Sequence, residues 1–171
     1  MNEHELTKGR NPLIADKDEL WTARDEQSSE DEVGEFLYGV IRLLKPQFIV
    51  ETGCYLGDAT IAMAKALKQN GFGTIITCDT DEKRVAYVDN WIKKEGLGEI
   101  AQVILPDGKG LIEACGNIID FAFIDSGEAD VREAEIKTLI PFLKTNCLFA
   151  LHDTAPQHRA MHDMAQEVEL P

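Results

Sequence analysis

Five acidic residues stand at, or one or two residues past, the ends of short apolar runs, and they are the side chains best suited to chemistry. They are Glu51, Asp79, Asp107, Asp125 and Asp153. Carboxylates accept hydrogen bonds from hydroxyl and amino groups and also bind divalent metal ions. His152 precedes the last of them, and an imidazole can accept a proton near neutral pH. The pattern predicts a polar ligand site with a base or a metal ion at one end.

The first acid begins a turn that contains two glycines. The turn reads Glu-Thr-Gly-Cys-Tyr-Leu-Gly from Glu51 to Gly57, between the apolar run 48–50 and an alanine-rich helical pattern from Asp58. A dinucleotide-binding turn would read Gly-x-Gly-x-x-Gly, with its acid about 20 residues later. Here a carboxylate precedes the first glycine, so the turn suits a ligand with an amino or sulfonium group rather than a pyrophosphate.

Asp79 is the acid expected to bind a sugar. It follows the apolar run 74–78, at a distance from Gly53 close to the roughly 20 residues expected in a βαβ unit. A carboxylate there can accept hydrogen bonds from both ribose hydroxyls of an adenosine ligand. The alternative is an ordinary turn residue. Asp81 is predicted to cap the helix that follows.

Strands that alternate with helices are needed to bring these acids together. Apolar, β-branched runs predict five strands, at residues 48–50, 74–78, 101–105, 119–125 and 146–151. Helical patterns lie before, between and after them, at 33–44, 58–69, 81–92, 111–115, 128–139 and 157–168. Ser29 and Glu32 predict a capping box for the first helix. The alternation predicts a Rossmann-like, doubly wound α/β fold with a parallel sheet in the order 3-2-1-4-5.

Composition narrows the class of partner. The 171 residues suit one domain, with 44% hydrophobic and 28% charged residues. The net charge of −14 disfavours a nucleic-acid partner and favours a small-molecule substrate. No run approaches the roughly 20 apolar residues of a membrane span, and the polar first residues do not resemble a signal peptide.

The cysteines indicate a reducing compartment. They are Cys54, Cys78, Cys115 and Cys147, and none is part of a Cys-x-x-Cys pair. Reduced core thiols in a cytoplasmic protein are the expected reading. Cys54 lies in the glycine turn, where a small tolerated residue is expected rather than a nucleophile.

The ordered motifs resemble those of class I S-adenosylmethionine-dependent methyltransferases, over about residues 30–155. The motifs are Glu-Thr-Gly-Cys-Tyr-Leu-Gly (51–57), Thr-Cys-Asp-Thr-Asp (77–81), Leu-Pro-Asp-Gly (105–108), Phe-Ala-Phe-Ile-Asp-Ser (121–126) and Leu-His-Asp-Thr (151–154). They are most similar to small O-methyltransferases, a group that includes the catechol type. The resemblance implies that a methyl group moves from S-adenosylmethionine to an oxygen of a small-molecule acceptor.

The resemblance also implies roles for single residues. The residues implied for cofactor binding are Glu51, Gly53, Cys54, Tyr55, Gly57, Asp79, Thr80, Asp107, Gly108 and Asp125. Glu51 and the two glycines of the turn would line the methionine moiety, Asp79 would hold the ribose, and Asp107 with Gly108 would flank the adenine. The residues implied for catalysis on the acceptor side are Asp125, His152 and Asp153.

Two alternatives remain open for how the acceptor hydroxyl loses its proton. Catechol-type enzymes bind a divalent metal such as Mg²⁺ through the acid after strand 4 and an Asp-Asn pair after strand 5. Asp125 and Asp153 match those acids, but Thr154 replaces the asparagine. The other alternative is that His152 acts as a general base. His158 and His162, four residues apart, are expected on a solvated helix face rather than as metal ligands.

The two ends of the chain depart from the full methyltransferase fold. The resemblance makes 29–171 the S-adenosylmethionine-binding domain, and residues 1–28 are expected to be an arm over the ligand site or a loosely ordered tail. Strands 6 and 7 of the full fold are expected to be missing, which would leave strand 5 as an exposed edge and favours a homodimer. The alternative functions are a non-catalytic cofactor-binding module and, less favoured without Gly-x-Gly-x-x-Gly, a nicotinamide-dependent oxidoreductase.

Overall fold

The computed structural model describes residues 23–25, 27–116, 118–154 and 158–167, so most of the predicted arm lies outside the described residues. The elements are α1 (Asp31–Leu44), β1 (Phe48–Thr52), α2 (Asp58–Asn70), β2 (Thr74–Cys78), α3 (Glu82–Lys94), β3 (Ala101–Ile104), α4 (Gly108–Cys115), β4 (Ile119–Ile124), α5 (Ala129–Leu139), a 3₁₀ turn (Ile140–Phe142), β5 (Leu143–Leu151) and α6 (Arg159–Glu167). The predicted alternation of helices and strands is confirmed.

One parallel sheet contains the five strands of the described residues, in the order β3-β2-β1-β4-β5. β1 lies at its centre and pairs in parallel with both β2 and β4. The predicted strand order and the Rossmann-like α/β class are therefore confirmed. The connections reverse direction between β1 and β4, and this switch point opens a crevice at the carboxyl ends of the strands.

Helices cover both faces of the sheet because successive strand residues point to opposite faces. Ile49 belongs to a buried cluster with residues of α1, α2 and α3, among them Leu37, Met63 and Val88. Its neighbour Val50 belongs to a second cluster with residues of α4, α5 and α6, among them Leu111, Ile136 and Met161. Because both faces of the sheet are buried, the strand sequences are nearly continuous apolar runs.

The start of α1 differs from the prediction. Glu30 precedes the helix without a capping side-chain hydrogen bond, so the predicted capping box is wrong. The Ser29 hydroxyl instead donates to Asp125 Oδ2 at 3.1 Å. A charged acceptor forms a stronger hydrogen bond than a neutral peptide group, and this contact carries the segment before α1 to the carboxyl end of β4.

β5 begins three residues earlier than predicted. Leu143 pairs with Ile119, whereas Leu148 pairs with Phe121, so extra residues on β5 form an irregularity between the two pairs. Lys144, Thr145 and Asn146 interrupt the apolar run there, which is why the sequence pattern placed the start of the strand later.

The described helices contain no membrane span, and the four cysteines form no disulfide bond. In the part of the chain that the structure describes, no helix is long and apolar enough to cross a membrane. All four cysteines are free thiols, and Cys54 and Cys78 are buried. Burial raises the pKa of the Cys54 thiol well above its ordinary value. Cys54 is therefore an inert core residue, as expected.

Candidate active site

A cavity of about 830 Å³ opens at the carboxyl ends of all five strands. Its lining includes one residue after each strand, in chain order Gly53, Asp79, Asp107, Asp125 and Asp153. The volume lies within the range of roughly 300–1,000 Å³ that is usual for small-molecule sites. Four of the five predicted acids therefore meet at one edge of the sheet, as their positions after the strands predict.

The glycine turn packs directly on the turn after β4. Gly53 has a φ of 77°, and a Cβ there would lie 2.7 Å from the carbonyl oxygen of Asp125 and 2.7 Å from Ser126 Cα. Only glycine permits both this conformation and this approach. The contact forms part of the cavity floor.

Glu51 lies beneath the turn, not in the cavity lining. Its side chain is 1% exposed, and it accepts a hydrogen bond from the Thr60 hydroxyl of α2. Burial raises the pKa of this carboxyl to about 7, although the hydrogen bond from Thr60 opposes the increase. The side chain thus points into the β1–α2 interface, and the cofactor contact of Glu51 stays a prediction.

Two other predicted contacts also lie outside the lining. Cys54 is 6% exposed, and its amide donates to the carbonyl of Cys78 at 2.8 Å. Gly57 precedes α2 with a φ of 88°, and a Cβ there would lie 3.1 Å from Val88. Both residues lie on the side of the turn that faces away from the cavity, whereas Gly53 and Tyr55 line the cavity.

Asp79 keeps part of its hydrogen-bonding capacity for a ligand. Its two oxygens accept from the amides of Tyr55, at 3.1 Å, and Asp81, at 2.8 Å. Arg84 Nη1 lies 3.7 Å away, and this guanidinium also stacks on the Tyr55 ring. A carboxylate accepts about four hydrogen bonds, so positions remain for two hydroxyl groups. Thr80 also lines the cavity here.

Asp107 and Gly108 lie where α4 begins. Asp107 caps the helix, with Oδ1 accepting from the amide of Gly110 at 2.7 Å. Gly108 is buried, and a Cβ there would lie 2.1 Å from Oε1 of Glu135. Glu135, on α5, accepts hydrogen bonds from the hydroxyls of Thr52 and Ser126. No sequence pattern marks Glu135, because its spacing on a charged helix does not distinguish it from solvated neighbours.

The described end of the predicted arm also lines the cavity. Its lining residues are Ala23, Asp25, Gln27 and Ser28. Asp25 Oδ2 accepts a hydrogen bond from the Tyr55 hydroxyl at 3.2 Å. Arg24 pairs with Asp58 at 2.8 Å, and its guanidinium lies 4.9 Å from the centre of the Trp91 ring. The described end of the arm thus reaches the site.

The three predicted acceptor-side residues come together, with two additions. His152 Nδ1 lies 2.9 Å from Asp125 Oδ1 and 3.3 Å from Asp153 Oδ2. His152 Nε2 lies 2.9 Å from Glu30 Oε2. Arg132 of α5 places Nη2 3.3 Å from Asp125 Oδ1 and 3.4 Å from Asp153 Oδ2. We call these five residues the acceptor-side cluster. No sequence motif marks Glu30 or Arg132.

The charges within the acceptor-side cluster determine the state of its imidazole. Burial disfavours protonation, but hydrogen bonds with Asp125, Asp153 and Glu30 outweigh it and raise the pKa of His152 to about 12. Burial also opposes ionisation of Asp153, yet His152 and Arg132 lower the pKa of that carboxyl to about 2. Both nitrogens of the His152 ring face carboxylates, and this arrangement favours the protonated imidazole over the general-base role predicted for it.

The acceptor-side cluster has the composition of a metal site but not the charge of one. Ligand atoms of Asp125, His152 and Asp153 lie within 4.8 Å of one another. A Mg²⁺ ion bonded at about 2.1 Å to Asp125 Oδ1 would lie at most about 5.4 Å from Nη2 of Arg132. It would also compete with the His152 ring, whose Nδ1 lies 2.9 Å from the same oxygen. The residues present therefore do not fit the divalent metal that the sequence motifs implied.

His158 and His162, expected on a solvated helix face, have separate partners. His162 Nδ1 lies 2.9 Å from the carbonyl oxygen of Thr154, and its Nε2 lies 2.9 Å from Gln166. His158 instead approaches Asp153, with 3.7 Å between Nε2 and Oδ1. The two imidazole rings contact different groups.

The fold and the cavity define a Rossmann-like α/β protein with a cavity at the switch point of its sheet. Residues 50–154 match the family described as a methyltransferase domain, and the chain belongs to that family.

Two curated relatives are similar over part of their length. Catechol O-methyltransferase of Niastella koreensis is 33% identical over 107 residues, which is 58% of this chain and 46% of that protein. Flavonoid 3′,5′-methyltransferase of Vitis vinifera is 27% identical over 130 residues, which is 72% of this chain and 53% of that protein. The chain thus spans about half the length of these relatives.

A solved structure shares the fold. The SAH-bound methyltransferase PaMTH1 of Podospora anserina superposes with a TM-score of 0.73 at 19% identity, covering 82% of this chain and 70% of that one.

Proposed function

We propose that this chain transfers a methyl group from S-adenosylmethionine to an oxygen of a small-molecule acceptor. The observation that carries the proposal is Asp79, which faces the cavity beside the glycine turn with acceptor capacity left for two hydroxyls. Membership of the methyltransferase domain family supports it. The two curated relatives, named for methyl transfer to catechol and to flavonoids, support an oxygen acceptor.

The cofactor would occupy the part of the cavity above β1, β2 and β3. Asp79 and Thr80 would hold the ribose, and Asp107 with Gly108 would flank the adenine. Gly53 and Tyr55 would line the methionine end. Asp25, which accepts from the Tyr55 hydroxyl, brings the arm against the same side.

The acceptor would lie above β4 and β5, beside the acceptor-side cluster. Catalysis would then be mainly the alignment of the acceptor oxygen with the methyl group. Asp125 stands between the two halves of the cavity, since the glycine turn packs on its backbone. The acceptor hydroxyl would lose its proton to solvent, and His152 with Arg132 would stabilise the resulting oxyanion, which takes the methyl group as S-adenosylhomocysteine leaves.

The test is calorimetric titration with S-adenosylhomocysteine of the wild type, Asp79→Asn and the control Asp89→Asn. Asp89 lies on α3 outside the cavity lining and pairs with the exposed Lys93. Hydrogen bonds to charged groups contribute about 1.5–3 kcal/mol each, so Asp79→Asn should weaken binding at least about tenfold. The control should match the wild type. Absence of wild-type binding, or equal affinities for all three proteins, would contradict the proposal.

Methyl transfer is tested separately with a radiolabelled methyl donor and a panel of catechols and flavonoids. Transfer to an oxygen would support the proposal. Binding of S-adenosylhomocysteine without transfer would favour the non-catalytic module, and binding of NADH instead would favour the oxidoreductase.

A homodimer in the cytoplasm remains part of the proposal. β5 is an edge strand of the sheet in the described residues, and Leu148 on it is exposed. The four free thiols fit a reducing compartment. Sedimentation equilibrium of the wild type and Leu148→Lys tests the dimer, which the charged side chain should dissociate.

A further inference from the structure

Arg132 is the feature of the acceptor-side cluster that neither the motifs nor the comparisons account for. The residue is 4% exposed, although it lies on a charged helix. Its Nη2 lies between the two carboxylates that the motifs mark as metal ligands. A buried arginine requires partners for its charge and for its donors.

Backbone atoms hold the guanidinium in place independently of the acids. Nε donates to the carbonyl of Ser126 at 2.7 Å, and Nη1 donates to the carbonyl of His152 at 2.8 Å. These carbonyls belong to the turns after β4 and β5. Nη2 then donates to Asp153 Oδ2 at 3.4 Å and lies 3.3 Å from Asp125 Oδ1. The side chain is therefore a rigid bridge between the two strand ends.

The guanidinium also changes the charge that a metal ion would meet. Three carboxylates surround His152, with Asp125 and Asp153 at Nδ1 and Glu30 at Nε2. Arg132 pairs with Asp125 and Asp153, and arginine keeps its charge at any pH at which the protein is folded. An arginine that cannot deprotonate and is held by backbone carbonyls leaves no vacancy for a dication.

We propose that Arg132 takes the place of a divalent metal ion at this site, so that the chain neither binds nor needs one between Asp125 and Asp153. The exclusion of metal follows from the position of Arg132. The consequence that methyl transfer is metal-independent rests on the proposed function.

The test measures Mn²⁺ binding, by electron paramagnetic resonance of the free ion, to the wild type, Arg132→Met and Arg132→Lys. Methionine keeps an unbranched apolar stem and removes the charge, while lysine keeps the charge. The wild type and Arg132→Lys should bind no Mn²⁺ at this site. Adding Asp153→Asn to either protein should therefore leave its Mn²⁺ binding unchanged. Arg132→Met should bind Mn²⁺ at least tenfold more tightly than the wild type, and adding Asp153→Asn to it should remove the gain.

Two results would overturn the proposal. The first is wild-type binding of one Mn²⁺ that Asp153→Asn abolishes, and this measurement does not depend on whether Arg132→Met folds. The second is a folded Arg132→Met protein, shown by a cooperative melting transition, that gains no Mn²⁺ binding. Titration with S-adenosylhomocysteine separates these results from failure of the proposed function, because cofactor binding involves the other half of the cavity.

Methyl transfer with and without a chelator completes the test. Once an acceptor is known, the wild-type rate should be unchanged by EDTA. A rate that EDTA abolishes and Mg²⁺ restores would overturn the metal-independent role of Arg132, while leaving the methyltransferase assignment intact.

Discussion

Substitution of Gly53 by alanine is the most direct perturbation of the cavity floor. The residue combines a left-handed backbone with an approach of 2.7 Å to the backbone of Asp125 and Ser126. Backbone atoms cannot rotate away as a side chain can. The added methyl group must therefore displace the turn after β1 or the turn after β4, which both line the cavity.

Gly71, after α2, provides a matched control. It has a φ of 82°, close to the 77° of Gly53, and an added Cβ would meet nothing within 4 Å. A non-glycine residue in the left-handed region costs about 1–2 kcal/mol, which is the whole effect expected for Gly71→Ala. Overpacking adds about 1–3 kcal/mol at Gly53. We therefore expect Gly53→Ala to lower the free energy of unfolding by about 2–5 kcal/mol.

The assay is urea unfolding of both variants and the wild type, followed by titration with S-adenosylhomocysteine. The two alanine variants share the change in unfolded-state entropy, so their difference reports the close approach alone. Gly53→Ala should also weaken binding, whereas Gly71→Ala should bind as the wild type does. Equal losses of stability in the two variants, or unchanged binding by Gly53→Ala, would refute the packing of the glycine turn on the β4 turn.

Two further predictions concern residues behind and above the cavity. The pKa of Glu51 is about 7 in the folded chain against an ordinary 4.5, so its contribution to stability is present below pH 4.5 and falls by about 3 kcal/mol as the pH rises to about 7. Glu51→Gln should abolish that part of the pH dependence and be more stable than the wild type at pH 8, as urea unfolding at several pH values will show; parallel stability curves would contradict the buried carboxyl. Arg24→Met should release the arm from Asp58 and weaken S-adenosylhomocysteine binding several-fold in calorimetry. Arg159→Met removes an exposed ion pair on α6 and should leave that affinity unchanged. Equal affinities of the two variants would show that the arm does not contribute to binding.

Local signals predicted most of the fold. β-branched runs, helical periodicity and the cap at Asp81 involve residues near in sequence, and the structure confirms the five strands and their order. The meeting of Asp79, Asp107, Asp125 and Asp153 also followed, because the carboxyl ends of parallel strands share one edge. The capping box at Ser29 failed for the opposite reason, since its hydroxyl found a partner 96 residues away.

Sequence patterns were thus sufficient to predict the class of fold, the edge of the sheet at which the cavity opens and the acids that line it. Tertiary packing decided which side chains face the cavity and which charges they carry. Glu51 became a buried carboxyl, and Arg132 and Glu30 joined His152 from segments that carry no motif. The physical reason is that burial and charge pairing are properties of groups far apart in sequence. A local pattern can place a histidine after a strand, but only the folded chain surrounds it with three carboxylates.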